Sequence, residues 1–74
     1  MKLEAGQRVS FCYTGGIHRA EVYAGASTRL VGTFEHPQHL TSCGPEIEAY
    51  IQKIAAEQGL TATRAQQSCD FYLR

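Results

Sequence analysis

Residues 8–24 read Arg-Val-Ser-Phe-Cys-Tyr-Thr-Gly-Gly-Ile-His-Arg-Ala-Glu-Val-Tyr-Ala. Two runs of alternating apolar and polar residues, Arg8–Thr14 and Ile17–Ala24, flank the pair Gly15-Gly16. Two glycines between such runs predict a two-residue hairpin turn, because that turn needs positive φ at its central positions. The turn fixes the register. Thr14 faces Ile17, Tyr13 faces His18, Phe11 faces Ala20 and Val9 faces Val22. Directly opposed residues share a sheet face, so the apolar residues of both strands fall together, and a slip of one residue would scatter them. The pair is not a phosphate loop, because a strand follows it where a phosphate loop leads into a helix.

Working outward, Gly25-Ala26-Ser27 is a short turn and Thr28–Glu35 alternates again. A three-residue loop would set Val22 opposite Leu30, Ala20 opposite Gly32 and His18 opposite Phe34. Leu30 and Phe34 then join the buried face, and the small pair Ala20 and Gly32 forms a trough for a helix. Residues 35–44 carry Pro37 and Gly44 among polar residues and read as a loop. Pro45 suits the first position of a helix, with Glu46 and Glu48 in its positive first turn. Ile47, Tyr50, Ile51 and Ile54 form one apolar stripe, Glu48, Gln52, Ala56 and Glu57 face away, and Gly59 ends the helix near Gln58. Thr61–Gln66 is polar and undecided between strand and loop. Ser68–Arg74 alternates, with Cys69, Phe71 and Leu73 on one side and Asp70, Tyr72 and Arg74 on the other. The expected fold is a single α+β domain over residues 1–74, in the order β-β-β-α-β. It is an antiparallel meander sheet with one helix packed on one face.

The bulk composition narrows the function. Hydrophobic residues make up 43% of the 74, enough for a folded domain with a core of about a dozen side chains. Seven basic and seven acidic residues cancel. Neutrality disfavours both nonspecific nucleic-acid binding and mimicry of DNA by negative charge. No apolar run approaches a membrane span, and the N-terminus lacks the apolar core of a signal peptide. Cys12, Cys43 and Cys69 are odd in number and irregularly spaced, which argues against a secreted disulfide framework and for a reducing cytoplasm.

Two constellations are candidates for function. The first is the sheet face opposite the helix, which would display Arg8, Ser10, Cys12, Ile17, Arg19, Glu21, Tyr23, Arg29, Val31, Thr33, Asp70, Tyr72 and Arg74. Arginine and tyrosine are the residues favoured at specific interfaces, so Arg8, Arg19, Tyr23, Arg29, Tyr72 and Arg74 are expected to bind a partner. Aromatic residues on a sheet also stack bases, but this face is barely positive, so a protein partner outranks direct nucleic-acid binding. The second is the loop with His36, His39 and Cys43, whose donors suit a soft metal such as zinc. Cys43, just before the helix, is also placed for thiol reactivity, with His36 or His39 as its base. No catalytic motif accompanies either constellation, and no cofactor is expected.

The hairpin around Gly15-Gly16, the amphipathic helix Pro45–Gln58 and the closing strand Ser68–Arg74 resemble, in size and architecture, the small phage-encoded inhibitors of the anti-CRISPR class. The resemblance covers the whole chain. It implies a non-enzymatic protein that inhibits or modulates a larger protein or ribonucleoprotein complex in the cytoplasm of a host cell. Antitoxins and orphan mobile-element proteins share the outline. A sheet with open edges also allows a twofold homodimer.

Overall fold

The computed structural model describes residues 2–25, 27–66 and 68–74. Five strands form one antiparallel sheet: β1 (Arg8–Cys12), β2 (Arg19–Tyr23), β3 (Leu30–Glu35), β4 (Ala62–Arg64) and β5 (Asp70–Leu73). One helix, α1 (Pro45–Glu57), lies between β3 and β4 in the chain. The sheet order is β3-β2-β1-β5-β4, and every neighbouring pair is antiparallel. The α+β class expected above holds.

The first hairpin has the expected register. Val9 pairs with Val22 and Phe11 with Ala20. Gly15 and Gly16 both take positive φ, 61° and 75°, and the Ile17 amide donates to the Thr14 carbonyl at 3.0 Å. The right-handed twist of a hairpin favours this geometry, and glycine adopts it without a Cβ clash.

The third strand departs from expectation by two residues. Gly32 pairs with Val22 and Phe34 with Ala20, and a bulge follows, so that Leu30 pairs with Tyr23. A slip of two keeps Gly32 and Phe34 on the helix side, whereas the bulge reverses the alternation beyond them. Leu30 therefore leaves the core and is 50% exposed, and Val31 beside it is exposed too. The trough of small residues does not form either, since Phe34 stands opposite Ala20. Of the turn Gly25-Ala26-Ser27, Ala26 lies outside the described residues.

The undecided segment Thr61–Gln66 contains the fifth strand, β4, which makes the order β-β-β-α-β-β. The sheet pairings make β3 and β4 parallel to each other, at opposite edges. Helix α1 spans the sheet to connect them. The β4–β5 hairpin then brings β5 beside β1, in the middle of the sheet. Strand β5 is shorter than expected, Asp70–Leu73 rather than Ser68–Arg74.

The core lies between α1 and the inner face of the sheet. Val9, Phe11, Ala20, Val22, Phe71 and Leu73 meet Ile47, Ile51 and Ala55 there. The helix starts at Pro45 with Gly44 as its N-cap and ends with Gln58 as its C-cap. Gly59 follows in the left-handed region, φ 74°. The Leu60 amide donates to Ala55 O and the Gly59 amide to Ala56 O, so two orphan carbonyls are satisfied. Among the described residues no helix is long and apolar enough to cross a membrane.

Candidate functional site: the open face of the sheet

Among the described residues no helix covers the second face of the sheet, and its side chains form rows across the strands. Leu30, Tyr23, Arg8, Tyr72 and Thr63 make one row from β3 to β4. Thr33, Glu21, Ser10 and Asp70 make the next, and Glu35, Arg19 and Cys12 the third.

Arg8 fixes the first row. Its Nη1 donates to Asp70 Oδ2 at 3.1 Å, its Nη2 to Ser27 O at 3.0 Å and its Nε to Gly25 O at 3.3 Å. The guanidinium also lies over the Tyr23 ring, 4.4 Å from its centroid, a favourable cation–π placement. Glu21 fixes the second row. Its Oε1 accepts hydrogen bonds from the Tyr23 hydroxyl at 2.9 Å and from Cys12 Sγ at 3.4 Å. Arg19 Nη2 stands 3.5 Å from Glu21 Oε2. The bond to Glu21 holds the Tyr23 phenol protonated above its ordinary range, and burial, aided by Glu21, pushes the Cys12 thiol up as well. The surface is therefore held rigid by its own contacts, and Cys12 is kept as a thiol.

Four of the six expected partner-binding residues share this face: Arg8, Arg19, Tyr23 and Tyr72. Tyr72 is 36% exposed, and the Arg19 side chain 47%. Arg29 and Arg74 lie outside the strands. Arg29 sits in the β2–β3 connection, where its carbonyl accepts from the Ala24 amide, and Arg74 follows β5, paired through its backbone with Thr61. That Glu21 pairs with an arginine of this face, Arg19 or Arg29, is legible from alternation, and the structure gives Arg19. Asp70 as the anchor of Arg8 is not legible, because the two lie far apart in the chain.

The His36, His39 and Cys43 group is not brought together. His36 is 5% exposed and packs edge-on against the rings of Phe11 and Tyr13, each 5.2 Å away. His39 is exposed, and Cys43 is in a disulfide with Cys69, Cα–Cα 5.3 Å. Among the described residues no three His, Cys, Asp or Glu side chains stand close enough to hold a metal ion. The disulfide also departs from the set of reduced thiols that the odd cysteine count suggested. Folding brings the start of β5 against the start of α1, and 26 residues of sequence separation do not reveal it. Comparison with family models, curated proteins and solved structures gives no match.

Proposed function

We propose that this chain is a small binding protein that docks the open face of its sheet on a larger protein, or on the protein part of a ribonucleoprotein complex, and so inhibits or modulates it. The row Leu30, Tyr23, Arg8, Tyr72 carries the reading. It places two tyrosines either side of an arginine that its own hydrogen bonds hold in place, with an exposed leucine at the end. Preorganised aromatic and arginine side chains lose little freedom on binding, which is why they dominate the energy of interfaces.

Charge favours a protein over RNA. The three rows hold Arg8 and Arg19 against Glu21, Glu35 and Asp70, and both arginines already face carboxylates. Phosphates would meet, among the described residues of these rows, arginines already engaged by carboxylates. Occlusion of a partner surface needs only such a face and no catalytic group. That is the mode of the phage-encoded inhibitors that the architecture resembles, and inhibition of that kind in a host cytoplasm belongs to the proposal.

The test is capture of partners from a host-cell lysate by wild type and by Arg19→Glu/Tyr72→Ala. Both side chains are exposed, and a melt run beside the capture checks that the variant keeps its fold without the Arg19–Glu21 contact. Loss of a captured partner by tenfold or more in the variant supports the reading. Equal capture by both proteins places the binding site elsewhere.

A further inference from the structure

The Cys43–Cys69 disulfide joins two segments that a second device also joins. Cys43 stands immediately before Gly44, the N-cap of α1, and Cys69 immediately before β5. Arg64, on β4, reaches the neighbours of both. Its Nη2 donates to Gly44 O at 3.1 Å, its Nη1 to Ser68 O at 2.9 Å, and its Nε to Glu48 Oε1 at 3.0 Å. The guanidinium rests 4.8 Å from the centroid of the buried Phe71 ring, which fixes its plane. One arginine thus ties the residue after Cys43 to the residue before Cys69.

A tie that is duplicated can open without loss of the fold. Both cysteines are half-buried, and Cys43 lines an open groove with Gly44, Pro45, Glu48, Arg64 and Gln66. A small thiol can therefore approach. The groove opens on Cys43, whereas Cys69 packs at the edge of the core, so an external thiolate reaches the sulfur of Cys43 first. Arg64, whose charge is met by Glu48, touches the neighbours of both cysteines and favours neither as a thiolate.

We propose that Cys43–Cys69 is a reversible redox latch opened by low-molecular-weight thiols, with Arg64 holding its two segments in place while it is open. A thiolate attacks Cys43 Sγ. The S–S bond breaks, and its electron pair leaves on Cys69 Sγ. A second thiol attacks the external sulfur of the mixed disulfide, forms the small-molecule disulfide and releases Cys43. Two external thiols are oxidised, one protein disulfide is reduced, and the two protons pass to Cys43 and Cys69. Cys12 takes no part, because it faces the opposite side of the sheet, where burial and then Glu21 push its thiol pKa up. The next residue after Cys69, Asp70, holds Arg8, so the latch stands beside the network of the open face.

Mixtures of reduced and oxidised glutathione test the idea on the full chain, with the thiols then trapped by an alkylating agent and located by mass spectrometry. The expected result is reversible opening at millimolar glutathione, and a reduced protein that still melts cooperatively at a lower midpoint. In that reduced protein Cys43 alkylates at least tenfold faster than Cys69 near pH 7. Arg64→Gln melts cooperatively when oxidised but not when reduced. A disulfide that resists glutathione, a reduced wild type without a cooperative melt, or equal alkylation of the two cysteines overturns the proposal. The alkylation ratio in wild type decides the matter even where Arg64→Gln does not fold.

Discussion

His36 shows how one residue can read differently in the sequence and in the fold. In the sequence it is a polar loop residue with a metal ligand's spacing to His39. In the fold it is enclosed by Phe11, Tyr13, His18 and Tyr50, and its Nε2 finds no hydrogen bond of good geometry among the described residues. Its Nδ1 lies 3.3 Å from Pro37 O. Burial lowers its pKa below the ordinary histidine value. The carbonyls of Pro37 and Cys12 oppose that shift in part, and the neighbouring His18 adds to it. The folded state therefore binds this proton less readily than the unfolded chain does. Its contribution to stability is complete above the unfolded pKa of about 6.5 and is lost as pH falls through the lower folded value. The urea midpoint should accordingly drop between pH 7 and pH 5. His36→Phe keeps a ring in the cage and removes the titrating group, so its midpoint should change less over that range. Parallel pH profiles for the two proteins would assign the acid sensitivity to other groups.

The elements divide into those that local chemistry determines and those that it does not. The β1–β2 hairpin was legible because Gly15-Gly16 dictates the turn and the turn dictates the register. Helix α1 was legible because Pro45, the apolar stripe and Gly59 mark its start, face and end. The register of β3 was not, because a bulge costs one residue and leaves no mark in the pattern of apolar residues. Strand β4 was not, because three residues are too few to show alternation. The open face was legible over β1, β2 and β5, where alternation assigns it, but not at Leu30, which the bulge in β3 moves onto it, nor at Thr63 on β4. The Arg8–Asp70 contact and the disulfide were not legible, because they join segments far apart in the chain. The legible signal at Gly59 can be tested on its own. Gly59 has open space around its Cβ position, so Gly59→Ala meets no steric obstacle there. Only the cost of the left-handed backbone at φ 74° remains. We expect a loss of roughly 1–2 kcal/mol in urea unfolding. An Ala variant as stable as wild type would mean that the helix ends without this turn.

At the scale of the whole molecule, stability and the disulfide have to be weighed together. A domain of 74 residues has roughly 4–11 kcal/mol of stability on a per-residue basis. The disulfide closes a loop with a sequence separation of 26. Restricting the unfolded chain in that way contributes about 3.5 kcal/mol in the chain-entropy account. The two figures leave a positive remainder, so the reduced chain should stay folded at room temperature and become fragile when warmed. The buried Val9, Phe11, Ile51 and Phe71 carry that remainder, and Arg64 limits how far the two freed segments separate. Urea unfolding of Cys43→Ser/Cys69→Ser should therefore show a midpoint well below that of the oxidised wild type. The difference in unfolding free energy from the oxidised wild type should be about 3.5 kcal/mol, as for wild type in excess reductant. A much smaller difference would mean that the two cysteines do not bond in the folded protein in solution. A variant unfolded even at low temperature would mean that the core and Arg64 together are too weak to hold the sheet against the helix, and the redox latch would then be a structural brace.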